Sequence, residues 1–267
     1  YDNTHHFFKT GFSQVENLAV DFGKKVSSFR FSASYTDQNG VVPSNDYRKV
    51  NLRLSNTTRI GKILEITPSV SYIPTLNNKP LRGIGGYLTD LYVWSPDIDV
   101  RNYLNAKGQK LLLSPADSAT PNNELDNPLY NATQNKSQDK TDRWFSTLAI
   151  NFNPLPWLSI AGRFGYDYYT QNGYSFYNPE SSEFGSATGG WLDNYYKKYY
   201  GYNHTITATA HHSIGKFNGR LMVGTMWQNQ ETKMFAVSGS NLIDSTSTDS
   251  SNTRPNTRVR LLRNNYG

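Results

Sequence analysis

The sequence contains no cysteine, which excludes disulfides and thiolate metal sites and is compatible with an oxidising envelope without proving one. It also lacks any window approaching the roughly 18 consecutive apolar residues that a membrane-crossing helix requires. With 36% hydrophobic residues and a mean hydropathy of −0.65, the chain is too poor in apolar residues to cross a bilayer as helices. No block of five or six like charges occurs either. The net charge of +6 therefore comes from scattered basic residues, with no helical, zinc or RNA-binding pattern beside them, and this argues against a nucleic-acid partner. Finally, Tyr1-Asp2-Asn3-Thr4 has neither the basic nor the apolar region of a secretory signal. The extended pattern begun at Arg258-Val259-Arg260-Leu261-Leu262 reaches Gly267 without turn chemistry. Both ends are expected to be internal to a longer wall.

What the chain does have is aromatic residues, 14% of the total with 19 Tyr and 5 Trp, and these rings suit a membrane–water boundary. It also has alternation. Leu18, Val20 and Phe22 share one face, and Phe29, Phe31, Ala33 and Tyr35 another, with Asn17, Ala19, Asp21, Arg30, Ser32 and Ser34 between them. Gly23-Lys24-Lys25 makes the turn, where glycine permits positive φ and the lysines favour water. A second pair carries Val50, Leu52 and Leu54, then Leu64, Ile66, Val70 and Tyr72, turning at Arg59-Ile60-Gly61-Lys62. A third carries Trp144, Leu148, Ile150 and Phe152, then Leu158, Ile160, Phe164 and Tyr166. Asn153-Pro154-Leu155-Pro156 joins these, with its prolines ending the strands. A fourth carries Ile206, Ala208 and Ala210, then Leu221, Val223 and Trp227, turning through residues 215–219. Eight strands are complete and a ninth begins.

The other connections are long: about 37 to 47, 74 to 142, 170 to 203 and 239 to 256. Short and long alternate, as in outer-membrane barrels with short periplasmic turns and long external loops. A soluble β-sandwich is the competing architecture. Three features favour the barrel. The alternation is sustained over roughly nine to twelve residues, enough to cross a bilayer at a tilt of about 45°. The polar face is dominated by Ser, Thr, Asn and Gly. Aromatics gather toward strand ends, at Phe12, Phe22, Tyr35, Tyr47, Tyr72, Trp144, Trp157, Tyr168 and Trp227. The expected fold is an all-β, antiparallel up-and-down transmembrane β-barrel, with residues 1–267 forming one partial barrel domain. Closure is required because an open edge in hydrocarbon leaves backbone groups unpaired.

The opening segment is more specific. His6-Phe7-Phe8-Lys9-Thr10-Gly11-Phe12-Ser13-Gln14 and Asn17-Leu18-Ala19-Val20 resemble the start of the barrel in SusC-like (RagA-like) TonB-dependent outer-membrane transporters. Phe29-Arg30-Phe31-Ser32-Ala33-Ser34-Tyr35 and the run from Asp37-Gln38-Asn39-Gly40 to Asp46-Tyr47-Arg48 resemble the segment that follows it. The likeness covers roughly the first 75 residues; Asp21-Phe22-Gly23 departs from the family's Ser-Gly-Gly-like strand end. The resemblance implies a bacterial outer-membrane location and a 22-stranded barrel around a plug, with a SusD-like lipoprotein lid and a TonB–ExbB–ExbD complex as partners beside lipid and lipopolysaccharide. The implied activity is import of a bulky nutrient, an oligosaccharide or an oligopeptide. The alternative is a structural subunit of a larger secretion or assembly complex.

Candidate sites follow from position. Arg30, Arg53, Glu65, Arg163 and Asp167 would be costly facing lipid, at about 2–4 kcal/mol for Arg at the midplane, so they are expected to face the lumen. There they either pin a plug or line a solvated path. In the first long connection Tyr87, Tyr92, Trp94 and Tyr103 lie near Gly83, Gly85 and Gly86, with Asp90, Asp97 and Arg101 among them. Such rings either stack on a ligand or pack the loop. Trp191, Tyr195, Tyr196, Tyr199, Tyr200 and Tyr202 form a denser cluster, expected in the second long loop. His5-His6 and His211-His212, read as strand neighbours on opposite faces, do not form a chelate. Asp97-Ile98-Asp99 lacks the further acids of a Ca²⁺ loop. No nucleophile–base pattern or phosphate loop points to catalysis, and no cofactor or metal is expected.

Overall fold

In the computed structural model, which describes residues 1–83, 86–113, 125–182 and 188–267, the alternation becomes one antiparallel sheet. Its nine described strands run in chain order: β1 (Phe12–Gly23), β2 (Ser27–Asn39), β3 (Asp46–Ile60), β4 (Leu64–Lys79), β5 (Lys136–Leu155), β6 (Leu158–Tyr177), β7 (Trp191–Ile214), β8 (Phe217–Ser240) and β9 (Val259–Tyr266). The up-and-down order matches the expectation of eight complete strands and part of a ninth. β1 and β9 are the two edges.

The four expected turns are there. Gly23, Gly61 and Gly215 take positive φ of 134°, 61° and 59°, a region open to glycine because it has no Cβ. Each turn is short because successive strands pair almost to their ends, as at Ile214 opposite Phe217.

Register shows why two faces exist. Leu18, Ala33 and Leu52 are cross-strand neighbours, and Leu52 leads to Tyr72, Trp144, Tyr168 and Tyr200 in one row. The last four form an aromatic belt across β4 to β7, with Tyr72 and Trp144 ring centroids 4.6 Å apart. Below the belt this face is largely apolar down to the short turns, with Asn56, Ser146, His204 and His212 among its polar members. On β7 the stretch from Ile214 to Tyr202 rises ~40 Å along the strand, or roughly 28 Å at a tilt of about 45°. That height fits an apolar band of about 25 Å.

Three expectations need correction. Strands β2 to β8 are longer than nine to twelve residues, reaching 24 in β7 and β8. Above the belt the outer positions turn to Asp142, Lys140, Lys198 and Lys233, while backbone pairing continues. Hydrophobic alternation ends at the aromatic belt, but hydrogen bonding does not. As a result Trp191, Tyr195, Tyr196, Tyr199, Tyr200 and Tyr202 lie in β7 and not in a loop. Prolines also interrupt strands: Pro68 and Pro74 lie inside β4. The β3–β4 ladder breaks between Ser55 and Thr58 and between Lys49 and Leu52, opposite these prolines, whereas the β4–β5 ladder is continuous through both. The missing N–H groups are those that would have served β3. Pro154 lies within β5, where the register shifts between Phe152 and Leu155. Finally, Tyr47 pairs with Gln38 on the polar face, so it is not part of the belt.

At the long-connection end lie helices α1 (Asn3–Phe7), α2 (Tyr87–Val93) and α3 (Pro128–Gln134). Phe7, Val42, Tyr87 and Ala132 form a small buried core there, with Leu91 and Leu129 against it. His5 and His6 belong to α1, so the strand argument made for them does not apply. It does hold for His211 and His212 on β7.

Candidate functional site

The polar face gathers all five charged residues singled out in the sequence. Arg30 sits opposite Ser55, two residues from Arg53. Arg53 pairs with Ser71, on the face of Glu65, and through β5 this face continues to Arg163 and Asp167. Their surroundings differ. Arg30 is 3.2 Å from Asp21 and Glu65 is 2.7 Å from Arg59. Asp167 accepts two hydrogen bonds from Arg143, at 2.8 Å and 2.6 Å, the bidentate geometry that a guanidinium prefers. Arg53 reaches only the Ser69 hydroxyl, at 3.5 Å, and Arg163 has no carboxylate partner among the described residues.

Arg163 lines a hollow of about 560 Å³ on this face, together with Asp167, Tyr199, Asn203 and Gln228. Two glycines keep it open. A Cβ on Gly165 would come within 2.5 Å of Asn203 Oδ1, and one on Gly201 within 2.7 Å of the Tyr199 hydroxyl. Above the hollow, Tyr199 stacks on Tyr169 with centroids 4.9 Å apart and planes 19° apart, and Lys197 Nζ lies 5.4 Å over the Tyr169 ring. Tyr195 crosses Gly173, where a Cβ would overlap its ring, and its hydroxyl donates to Asp139. Asp139 also pairs with Lys79 at 2.5 Å. This row of tyrosines and ion pairs was not legible as a site in the sequence. Tyrosines at 195, 196, 199 and 200 fall on both faces, so no period marks them as a strand.

The aromatic residues of the first long connection divide. Tyr87 is buried and stacks on Phe7 at 5.3 Å. Trp94 is buried, and its Nε1 donates to the Ile98 carbonyl at 3.0 Å. Both rings pack the cap. Tyr103 is partly buried, while Tyr92 is 91% exposed and free to meet a ligand or a partner. Gly85 lies outside the described residues. Two neighbouring acids are structural: buried Asp90 accepts from Asn131 Nδ2 at 2.7 Å, and Asp99 accepts from Arg101 Nε and Nη2 at 3.0 Å and 2.6 Å, which lowers its pKa to about 2. Asp97 is exposed in the preceding turn.

Residues ahead of β1 fasten this cap. Asn3 Nδ2 donates to the Ser95 and Ile98 carbonyls, and Asn3 Oδ1 accepts from Val100 N at 3.0 Å. Lys9 N donates to Val41 O at 2.9 Å, bringing Val42 to Phe7. Deeper in, Lys110 Nζ lies 2.5 Å from Asp126 Oδ1, both side chains almost fully buried. Asp126 also accepts from the Ser181 hydroxyl and from Ser182 N. Asn135 Nδ2 donates to Ser181 at 3.0 Å, and Asn135 Oδ1 accepts from Asn178 N at 2.9 Å. Tyr130, buried beside Glu180 and Asp126, has its hydroxyl pKa pushed up, first by burial and then by those carboxylates. The connections between β4 and β5 and between β6 and β7 are thereby locked together through polar groups with partners, as burial of such groups requires.

No family model and no curated protein matches the sequence. Solved structures do. The chain is similar to a chain of the RagAB peptide importer in its 'closed-closed' state, with 16% identity and a TM-score of 0.75, covering 100% of this chain and 30% of that one. It is similar to a chain of the RagAB peptide transporter, with 16% identity and a TM-score of 0.75, covering 98% and 30%. The 'open-open' importer gives 16% identity, a TM-score of 0.73, and coverage of 100% and 29%. The chain thus spans about 30% of the length of the importer chains it matches. What is shared is the fold, that of part of a β-barrel wall.

Proposed function

We propose that this chain is wall and external cap of a SusC/RagA-like, TonB-dependent importer in a bacterial outer membrane. The observation that carries the reading is the two-faced sheet: an apolar band of membrane height below an aromatic belt, and an opposite face that gathers Arg30, Arg53, Glu65, Arg163 and Asp167, with Arg30, Glu65 and Asp167 ion-paired. The shared fold with peptide-importer chains supports it. In this reading Arg30, Arg53, Glu65, Arg163 and Asp167 face the barrel interior, in a barrel of 22 strands. Arg53 and Arg163, having no carboxylate partner within the described wall, meet whatever occupies that interior. Tyr92 and Tyr103 are the rings of the first long connection left to touch substrate or a SusD-like lipoprotein lid. The cargo is a bulky nutrient, an oligopeptide or an oligosaccharide, and energy comes from TonB–ExbB–ExbD. The test is uptake by intact cells of labelled oligopeptides and oligosaccharides through the full-length protein, with and without TonB. TonB-dependent uptake of either cargo supports the reading, and growth-linked uptake that ignores deletion of the protein refutes it.

A further inference from the structure

The polar face carries more positive charge than its own acids neutralise. Of the acids that the described strands place on it, Asp21, Glu65, Asp139 and Asp167 each already have a cation, in Arg30, Arg59, Lys79 and Arg143. Asp193 accepts from Trp191 Nε1 at 2.8 Å. Lys49, Arg53, Arg163, Lys197, Arg220 and Arg263 lie on the same face and form no ion pair among the described residues. On the opposite face charge is mixed: Arg48 pairs with Asp37 and Lys233 with Glu231, and Lys140 and Lys198 stand among Glu16, Asp46 and Asp142. A wall lined by one sign of charge focuses its field and concentrates ligands of the other sign.

Lys49, Lys197 and Arg263 also share one row across the sheet, on the cap side of the aromatic belt. Lys49 leads through Thr75, Thr141 and Gln171 to Lys197, and from there through Met234 to Arg263. At about 4.8 Å per strand, Lys197 is roughly 19 Å from Lys49 and roughly 10 Å from Arg263 along the row. Cations so far apart cannot converge on one small anion. A ligand that uses them all carries several carboxylates along its length, and an extended peptide covering the row has about nine residues. The uncharged side chains between the cations offer hydroxyl and amide groups for its backbone. An acidic saccharide can also carry spaced carboxylates, but sugar rings bind against open aromatic faces. The ring beside Lys197 is not open: Tyr169 stacks on Tyr199 with centroids 4.9 Å apart and has Lys197 Nζ 5.4 Å from its own centroid.

We infer that this row selects cargo by charge, binding acidic oligopeptides whose Asp and Glu side chains meet Lys49, Lys197 and Arg263. The inference rests on the importer reading. Its test measures, by fluorescence anisotropy, the binding of three labelled ten-residue peptides to the full-length protein in nanodiscs. The peptides are identical except at three spaced positions, which hold Glu, Gln or Lys. The Glu peptide is expected to bind at least about tenfold more tightly than the Gln peptide, and the Lys peptide most weakly. The difference shrinks between about 0.1 M salt, where the Debye length is about 10 Å, and about 1 M, where it is about 3 Å. Changing Lys49, Lys197 and Arg263 together to Gln is expected to abolish the preference. The charge-keeping set Lys49→Arg, Lys197→Arg and Arg263→Lys retains it, and Lys140→Gln with Lys198→Gln, on the opposite face, leaves it unchanged. Equal binding of the three peptides, or a preference that the Gln set leaves intact, overturns the inference. So does an oligogalacturonate that binds as tightly as the Glu peptide, which assigns the row to acidic saccharides. Equal binding together with a Gln set that lowers the melting temperature overturns it too, by assigning the row to a contact inside the protein. If any of these results comes with TonB-dependent uptake of the peptides or of an oligosaccharide by cells, the importer reading stands; without such uptake of any of them, that reading falls as well.

Discussion

Ile206 and Thr207 are adjacent on β7 at the same depth but on opposite faces, which makes them a matched pair for testing where lipid lies. Ile206 pairs with Gly162 and Thr225 on the apolar face. Thr207 lies between Ala161 and Gly224 on the polar face, with small neighbours on both sides and room for a longer side chain. Arginine at the midplane of a lipid-facing strand costs about 2–4 kcal/mol, whereas interior positions tolerate charge. A shift of that size lowers the folding equilibrium by roughly 30- to 1,000-fold, at 1.4 kcal/mol per factor of ten. Ile206→Arg is therefore expected to destabilise the full-length protein by about 2–4 kcal/mol, and Thr207→Arg by under about 1 kcal/mol. Reversible urea-dependent folding into liposomes, followed by tryptophan fluorescence, measures both. If the two substitutions cost the same small amount, near the ±0.5 kcal/mol usual for water-exposed positions, neither face meets lipid. If Thr207→Arg is the more damaging, the faces are assigned the wrong way round.

Two further expectations concern the cap. Lys110→Met leaves the Asp126 carboxylate buried without its cation. Breaking such a pair costs about 3–5 kcal/mol, here taken from the docking of the long connections. Hydrogen exchange is expected to accelerate in residues 125–135 and 178–182 with strand protection unchanged, and unaltered exchange in those segments contradicts the role given to the pair. Asp99 has its pKa lowered from 3.8 to about 2 by Arg101, so its ionised form binds the folded cap better than the unfolded chain. The stabilisation is complete above about pH 4 and lost as pH falls from there toward 2, as protonation removes the bond to Arg101. Trp94, bonded to Ile98 beside this pair, reports the change by fluorescence. Asp99→Asn is expected to remove that acid transition, and a transition of the same midpoint in the variant assigns it to another group.

How much of this was legible in the sequence follows from what each residue responds to. Below the aromatic belt, one face of the sheet is largely apolar and the other polar, which produces a period of two. Leu18, Phe31, Leu54, Val70, Leu148 and Phe164 could therefore be placed on one face, and Arg30 or Arg163 on the other, from spacing alone. Above the belt water meets the outer face as well. There Lys198 and Tyr196 share a face, Tyr195 and Lys197 share the other, and period no longer separates strand from loop. Proline was misread for a related reason. A missing N–H excludes a strand interior only when both neighbouring ladders need it, and Pro68 and Pro74 forgo bonds on the β3 side alone. The cap was least legible. Asn3, Lys110, Asp126, Asn135 and Ser181 are individually unremarkable polar residues, and what makes them structural is burial against partners far away in sequence, such as Asn3 with Val100 and Asp126 with Ser181. Tyr87 and Trp94 were visible as aromatic but not as interior, because burial of Tyr87 depends on Phe7, far earlier in the chain, and Trp94 is tied to the Ile98 carbonyl.

The claim on which everything else depends is that the sheet crosses a membrane with its long connections outside and its short turns inside. Single cysteines at Lys107 and Ser245, both exposed in long connections, and at Lys25, exposed in the first short turn, test it in a chain that has no cysteine of its own. Intact cells expressing the full-length protein are treated with a membrane-impermeant maleimide, before and after permeabilisation. Labelling of the first two in intact cells, with Lys25→Cys reacting only after permeabilisation, is the predicted result. Labelling of Lys25→Cys from outside, or of all three positions alike, would contradict it.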